Sequence, residues 1–195
     1  MTDHISEQEI RKIVQNVVSR SMGNNPAASS SNQPDIPEKT TKKCVVAIGT
    51  DHGGVDLKEI LKKDLLDNGY EFIDVGTHTK DAVDYPDIAL AVAQKVASGE
   101  ACRGVIIDGA GIGSCMAANK VPGIRAALCY DYATAVNSRE HNKANVLTLG
   151  AGLIGTNLAK QILNTWLTTE FGGDRHARRI DKITAIEKRF TKDGK

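Results

Sequence analysis

The stretch Val105-Ile-Ile-Asp-Gly-Ala-Gly-Ile-Gly-Ser-Cys-Met-Ala-Ala-Asn-Lys-Val-Pro-Gly-Ile-Arg125 decides the fold, because it predicts a strand, a glycine-rich loop and a helix in succession. Residues 105–107 form an apolar run typical of a buried strand, and the alanine-rich segment 114–120 favours a helix. The three glycines between them allow tight turns that expose backbone N–H groups near the positive end of that helix. Such donors can hold a phosphate, a carboxylate or another oxyanion. Asp108, at the edge of this loop, is therefore either a helix cap or a chemically active group.

Strand and helix patterns alternate on both sides of this stretch. Strands are predicted at 44–49, 70–76, 104–107, 125–129 and 145–149, and helices at 56–68, 86–98, 114–120, 132–141, 157–171 and 174–189. This order predicts a Rossmann-like α/β fold with three αβα layers, a five-stranded parallel sheet and an extra C-terminal helix. Ligands bind such folds at the carboxyl ends of the strands. Polar and glycine-rich segments follow the predicted strands there, at 50–54, 76–78, 108–113, 130–131 and 150–152.

Composition narrows the class of protein. The chain has 195 residues, of which 41% are apolar, and a formal net charge of +1, which fits one globular domain with an appendage and argues against nucleic-acid binding. It has no apolar run of membrane-spanning length and no secretory pattern at its start, so we expect a cytoplasmic protein without a membrane partner. Cys44, Cys102, Cys115 and Cys129 show no Cys-x-x-Cys spacing, and we expect reduced thiols packed as small apolar residues.

The chain divides into three parts. Residues 1–22 predict an amphipathic helix, residues 23–43 read as a flexible linker rich in Pro, Ser and Asn, and residues 44–195 form the globular domain. In the first part, Ser6 and Glu9 form a capping box. The apolar stripe of this helix consists of Ile10, Ile13, Val14, Val17 and Val18.

An isolated helix of this length is marginally stable in water, so its apolar face needs a partner. One interpretation is that it docks on the core of its own domain or forms a dimer contact. The other comes from resemblance: a short amphipathic helix with such a linker resembles the encapsulation peptides that recruit enzymes into bacterial microcompartments. That resemblance implies a shell protein as partner, bound through residues 5–22, and a location in the microcompartment lumen.

Several motifs in matching order resemble type B ribose-5-phosphate isomerases and the related galactose-6-phosphate isomerases. They are Asp51-His-Gly-Gly54, Asp84-Tyr-Pro86, Gly109-Ala-Gly-Ile-Gly113, Ala117-Ala-Asn-Lys-Val-Pro-Gly-Ile-Arg125, Ser138-Arg-Glu-His-Asn142 and Gly172-Gly-Asp-Arg-His-Ala-Arg-Arg179. The similarity spans residues 44–190. It implies interconversion of a phosphorylated aldose and ketose, such as ribose 5-phosphate and ribulose 5-phosphate, through an enediolate. It also implies a homodimer or a dimer of dimers with shared active sites, and neither a metal nor a cofactor.

The position of Asp108 departs from the family pattern. Most type B enzymes carry at that position a Cys that moves the proton between the two sugar carbons, and a second branch uses a Glu at the position matching Ser114. Ser114 cannot serve as that base, whereas a carboxylate can. We therefore predict that Asp108 is the catalytic base. The alternative is that Asp108 only accepts hydrogen bonds from the loop and binds substrate hydroxyls.

The resemblance assigns the other roles by position. His141 matches the acid or base that opens the sugar ring, Asp51 orients a hydroxyl, and Asn142 contacts the oxygen that becomes charged. Phosphate contacts are expected from His52, Arg175 and Arg179, and the arginines are expected to reach across from a partner subunit. The remaining substrate-binding residues are predicted to be Tyr85, Gly109, Ala110, Gly111 and Gly113.

Two other functions fit parts of the sequence. Gly109-Ala-Gly111, with Asp131 further along, resembles the start of a dinucleotide-binding fingerprint, although Ser114 replaces its third glycine and the loop follows the third strand. A non-catalytic, sugar-phosphate-binding relative recruited to a microcompartment would have kept the fold without the reaction. The many polar groups converging at one edge favour an active isomerase.

Overall fold

A five-stranded parallel sheet runs through residues 44–191, the residues that this computed structural model describes. Its strands are β1 (Val45–Thr50), β2 (Glu71–Asp74), β3 (Arg103–Asp108), β4 (Ala126–Leu128) and β5 (Val146–Gly150). The helices of this region are α1 (Val55–Asp67), α2 (Tyr85–Ala97), α3 (Ile112–Ala118), α4 (Tyr132–Glu140), α5 (Thr156–Thr168) and α6 (Asp174–Phe190). The predicted α/β architecture with its extra C-terminal helix is confirmed. The helix predicted at 1–22 and the linker at 23–43 lie outside the described residues.

The order of the strands creates a crevice at one edge of the sheet. They are arranged β2-β1-β3-β5-β4, and all pairs are parallel. From β1 the chain passes first to β2 on one side and then to β3 on the other, so the direction of winding reverses between β1 and β3. Ligands bind α/β sheets outside the carboxyl ends of the strands at such a reversal. The residues that follow those two strand ends are therefore the first place to look for a site.

Two apolar layers hold the helices against the sheet. On one face, alternate strand residues such as Ile48 and Leu147 pack with Leu61 of α1 and with Ile162 and Trp166 of α5. On the other face, a second cluster joins the sheet to α2 and α3 and consists of Ala47, Ala89, Val92, Ala93, Ala101, Ile106, Ala118, Ile124 and Val146. Because the central strands are buried on both faces, they read in the sequence as continuous apolar runs.

Two of the four cysteines depart from the prediction of reduced thiols, because Cys44 and Cys102 form a disulfide. These residues precede the neighbouring strands β1 and β3, their Cα atoms are 5.6 Å apart, and the Cys102 N–H donates to the Val45 carbonyl at 2.9 Å. Cys115 and Cys129 carry free thiols, and burial raises the pKa of both. Strand pairing, which spacing does not reveal, brings the bonded pair together.

No helix between residues 44 and 191 combines the length and apolar character needed to cross a membrane.

Candidate functional site

The Asp108 carboxylate fills the cradle formed by the glycine-rich loop. Asp108 ends β3 and is 4% exposed. Its Oδ1 accepts hydrogen bonds from the N–H groups of Ala110, at 2.8 Å, and of Gly111. Its Oδ2 accepts from the Ser114 N–H at 3.1 Å and from the Ser114 hydroxyl at 2.5 Å. Three backbone donors and one side-chain donor thus orient this carboxylate, and the anion that the loop holds is the chain's own.

The shape of the loop depends on Gly111. Its φ of 76° is left-handed, and a Cβ atom there would lie 2.5 Å from the Leu128 side chain and 2.9 Å from the Leu149 backbone. The Tyr130 hydroxyl donates to the Ala110 carbonyl at 2.6 Å and fixes the loop from outside. A Cβ atom at Gly109, by contrast, would point into open space. The loop therefore presents its Gly109 side to an incoming ligand.

Asp51 and His52 lie next to this loop, directly after β1. The Asp51 N–H donates to the Ile107 carbonyl at 3.1 Å, which holds Asp51 beside the end of β3. The Asp51 carboxylate is 8% exposed, and its Oδ1 accepts from the Gly53 N–H at 2.9 Å. His52 is exposed. The crevice thus combines a buried, oriented carboxylate with an exposed imidazole.

Tyr85 borders the same crevice. It begins α2, is 41% exposed, and its ring packs so closely on Gly113 that a Cβ atom there would lie 2.5 Å away. The structure therefore places the Tyr85 ring against the glycine-rich loop.

A buried lysine, which the sequence analysis missed, supports this edge of the sheet. Lys58 is fully buried, and its Nζ donates to Asp74 Oδ1 at 2.7 Å and to the Thr77 carbonyl at 2.8 Å. Burial opposes the charge of Asp74, but hydrogen bonds from Lys58 and Lys62 outweigh it and lower the pKa of that carboxyl. Lys58 thereby ties α1 to the segment after β2. No local pattern marks it, because a lysine on a helix is normally exposed.

His141 and Asn142 lie on one turn at the end of α4. Asn137 Nδ2 and His141 Nδ1 are 2.9 Å apart, and Asn142 Nδ2 donates to the Asn137 carbonyl at 3.2 Å and to Asn137 Oδ1 at 3.1 Å. His141 Nε2 lies 3.8 Å from the Glu140 carboxylate. These contacts hold the two side chains together on the surface of one turn.

The start of α6 adds basic groups beside His141. The Gly172 N–H donates to the carbonyl of the last residue of α4 at 2.9 Å. The His176 ring stacks on His141 with centroids 4.2 Å apart and planes at 7°. Burial, together with the charges of His141, Arg175 and Arg179, lowers the pKa of His176. The two arginines are exposed, so their guanidinium groups are available to an anion. The sequence analysis left His176 out of the site, although its place next to Arg175 was a usable signal.

The predicted site residues form two groups at opposite edges of the sheet. The first group, around Asp51 and Asp108, follows the carboxyl ends of β1 and β3. Helix α4 begins at the carboxyl end of β4, and its 9 residues rise about 13 Å toward the amino edge, where the chain enters β5. His141 and Asn142 therefore lie at the amino edge. This corrects the expectation that they join Asp108 within one chain while the arginines alone come from a partner.

A large apolar groove adjoins the second group. It has a volume of about 1190 Å³ and lies between α4, the edge strand β4 and α6. On α6, Ile183, Ile186 and Phe190 are 46%, 60% and 76% exposed. Asn137 and Asn142 line it, so the groove is continuous with the turn that carries His141. An exposed apolar surface of this kind is typical of an interface with another molecule.

The geometry argues against the dinucleotide hypothesis. The N–H groups of Ala110 and Gly111, which would hold a pyrophosphate, already bind the Asp108 carboxylate. The substrate contacts predicted for Ala110 and Gly111 therefore cannot use these N–H groups as the structure stands. Among residues 44–191, no three His, Cys, Asp or Glu side chains converge in a way that could hold a metal ion.

Comparisons with known proteins agree with the motifs. Residues 46–183 match the family model described as Ribose/Galactose Isomerase. Ribose-5-phosphate isomerase B of Escherichia coli K12 is 44% identical over 144 residues, which cover 74% of this chain and 97% of the relative. D-erythrulose-4-phosphate isomerase of Pectobacterium atrosepticum is 41% identical over 143 residues, which cover 73% and 94%. The structure of Clostridium thermocellum ribose-5-phosphate isomerase B matches with a TM-score of 0.74 and 52% identity, covering 75% of this chain and 99% of that one.

Proposed function

The chain belongs to the ribose/galactose isomerase family and is a sugar-phosphate isomerase, and we propose that it interconverts ribose 5-phosphate and ribulose 5-phosphate, or a close analogue, through an enediolate. The observation that most supports this reaction is the family match over residues 46–183, which places the buried Asp108 carboxylate beside Asp51 in the crevice of a sugar-phosphate isomerase domain. Family membership also favours turnover over the alternative of a non-catalytic binding protein.

Asp108 serves as the base in this reaction. It takes the C2 proton of the open-chain aldose, the electron pair of the C2–H bond forms the C1–C2 double bond, and the C1 oxygen becomes the enediolate oxyanion. After a proton passes from O2 to O1, Asp108 returns its proton to C1 and the C2 oxygen becomes the ketose carbonyl. Of the four donors to Asp108, the Ser114 hydroxyl is the one that can turn away without moving the backbone. Oδ2 is therefore the atom that receives the proton.

The second group of residues completes the site from a partner subunit. Within one chain the sheet separates His141 from Asp108, so an active site that uses both needs two copies. The partner subunit's His141 opens the sugar ring, and the partner subunit's Asn142 contacts the developing oxyanion. The partner subunit's Arg175 and the partner subunit's Arg179 bind the phosphate together with His52, because a guanidinium can donate two parallel hydrogen bonds to it.

The apolar groove supports a homodimer. Exposed side chains of α6 line it together with the edge strand β4, and burying them against a second copy removes apolar surface from water. Leu128, which lines the groove, also borders the glycine-rich loop next to Gly111. A partner seated in the groove would thus lie between the two groups of site residues. A dimer of dimers would use further surfaces of the same chain.

A panel of four- and five-carbon aldose and ketose phosphates tests the proposed function. In heavy water, proton NMR should show deuterium entering C1 of the ketose at the rate of enediolate formation, even where net turnover is slow. We expect exchange with ribulose 5-phosphate or a close analogue, and much weaker exchange with unphosphorylated ribulose, because the phosphate contacts supply binding energy. Absence of exchange with every phosphate would contradict the isomerase proposal.

The first 43 residues support a second part of the proposal, recruitment to a bacterial microcompartment within the cytoplasm. The match with the E. coli relative covers 97% of that protein but 74% of this chain. The match to the family model begins at residue 46. The amphipathic pattern therefore belongs to an extension beyond the isomerase domain. We propose that residues 5–22 bind a shell protein through their apolar stripe.

Deletion of residues 1–22 should abolish shell association and leave isomerase activity and quaternary structure unchanged. Fusion of the same residues to a fluorescent reporter should transfer shell association to it, as measured by co-purification with shell particles. Ile13→Glu with Val17→Glu should mimic the deletion, because charges on the apolar stripe prevent docking. Gln8→Glu with Gln15→Glu, which adds equal charge away from the stripe, is the matched control. Collapse of the folded domain after deletion would instead indicate that the helix docks on its own chain.

A further inference from the structure

Arg139 is a buried charge that the reaction described above does not use. It lies in the last turn of α4, is 3% exposed, and its Nε has no hydrogen-bond partner among the described residues. Burial and the positive charges of Arg103 and Arg125 lower its pKa to about 10, although Glu170 acts in the opposite direction. Arg139 is therefore charged at neutral pH. A buried charge is unfavourable unless its contacts compensate for the lost hydration.

The contacts of Arg139 bracket the turn that carries His141 and Asn142. Its Nη1 donates to the Ala144 carbonyl at 2.5 Å, and its own carbonyl accepts from the Lys143 N–H at 3.0 Å. Both contacts span the turn, because they connect Arg139 in α4 with Lys143 and Ala144, which follow His141 and Asn142. The side chain and the backbone of one residue thus hold both ends of the turn.

The guanidinium is itself fixed by the core. It lies over the Trp166 ring, 5.3 Å from the centroid, and the Trp166 Nε1–H donates to the Ser138 hydroxyl at 3.1 Å. Trp166 is fully buried. A planar guanidinium can lie over the indole and donate hydrogen bonds in its own plane at the same time. Arg139 therefore attaches the exposed turn to the buried Trp166 of the core.

We propose that Arg139 is a positioning residue that holds His141 where it opens the sugar ring in the partner's site. This inference rests on the proposed function. Both amide hydrogen bonds of Asn142 go to Asn137 inside α4, whereas the His141 ring is held by one hydrogen bond to Asn137 and by its stack on His176 of α6. The place of His141 therefore depends more on how the turn lies against α6. Loss of Arg139 should therefore impair ring opening more than enediolate formation.

The chemistry of the two sugars separates these steps. Ribose 5-phosphate closes to a furanose through O4, so its C1–O4 bond must break, with O4 taking a proton and the C1 hydroxyl releasing its proton to solvent water as it becomes the carbonyl. His141 supplies the proton to O4. Ribulose 5-phosphate cannot close a furanose, because its O5 carries the phosphate, and it enters the site in the open form. Deuterium exchange at C1 of ribulose 5-phosphate therefore requires Asp108 but no ring opening.

The test compares Arg139→Met, Arg139→Lys and the parent in both assays. Arg139→Met should lower kcat for ribose 5-phosphate by roughly tenfold to a hundredfold, and exchange into ribulose 5-phosphate by less than about threefold, because a small misplacement costs most in the step that uses His141. KM should stay close to the parent value. Arg139→Lys, which keeps a charged donor, should recover part of the loss. His141→Ala should show the same split, and the exposed Arg178→Met should match the parent in both assays.

Equal losses in both assays, or parent rates for Arg139→Met in both, would overturn the positioning role while leaving the proposed function intact. Retained exchange into ribulose 5-phosphate also reports a folded site, so a selective loss cannot arise from unfolding. A parent that catalyses neither reaction would overturn the proposed function and the positioning role together.

Discussion

Asp108→Asn should lower both kcat and the rate of deuterium exchange by about 10²- to 10⁴-fold, which corresponds to roughly 3–5 kcal/mol of transition-state stabilisation. Asn keeps the size of the side chain and one oxygen for the loop N–H groups, but it removes the group that accepts the C2 proton. The affinity for substrate should change much less, since the phosphate contacts remain. On one preparation, stopped-flow assays measure kcat, NMR measures the rate of deuterium exchange, and calorimetry measures the affinity for substrate.

Asp67→Asn is the matched control, because Asp67 is exposed at the end of α1 and lies far from the crevice. Asp108→Cys is the informative companion, since it places the common base of the family in a loop that already has the required glycines. Near-parent exchange in Asp108→Asn would exclude Asp108 as the base. A water molecule held by Asp51 would then be the next candidate.

Two inactive variants should restore each other when they share a dimer. A mixture of Asp108→Asn and His141→Ala subunits forms some mixed dimers, in which one site combines an intact Asp108 with the partner subunit's intact His141. With random association of equal amounts, about a quarter of all sites are complete, so activity should rise to about a quarter of the parent value. Each variant alone should stay near its own low rate. The measurement is ribose 5-phosphate turnover after co-refolding or co-expression with two affinity tags.

The structure also provides a negative control for this experiment. His141→Ala mixed with Arg175→Ala and Arg179→Ala should not recover, because these residues lie in the same group and no site in the mixed dimer receives all of them intact. Recovery in that mixture would place His141 and the arginines in different halves of the site. Failure of verified Asp108→Asn and His141→Ala mixed dimers would contradict a site shared between subunits.

Local patterns in the sequence were sufficient for the secondary structure and for the chemistry of the loop. Apolar runs followed by polar or glycine-rich turns marked the strands, because such signals depend on neighbours within a few residues. The bounds differ from the predicted ones by up to three residues, as in α5, which ends at Thr168 and not at residue 171. The spacing of the glycines after β3 likewise predicted an anion cradle. The sequence predicted Asp108 as the base, and this role stays a prediction, whereas the position of that side chain within the cradle became visible only in the structure.

Tertiary structure decided which of these residues meet. The order β2-β1-β3-β5-β4 brings Cys44 beside Cys102, and the antiparallel return of α4 carries His141 away from Asp108 to the opposite edge. Burial of Arg139 over Trp166 and of Lys58 beside Asp74 is equally invisible in the sequence. Contacts of this kind depend on strand pairing and helix packing between distant segments. Residue type and spacing therefore determine the elements and the candidate chemistry of this chain, and the packing of those elements determines which of the candidate residues meet within one chain.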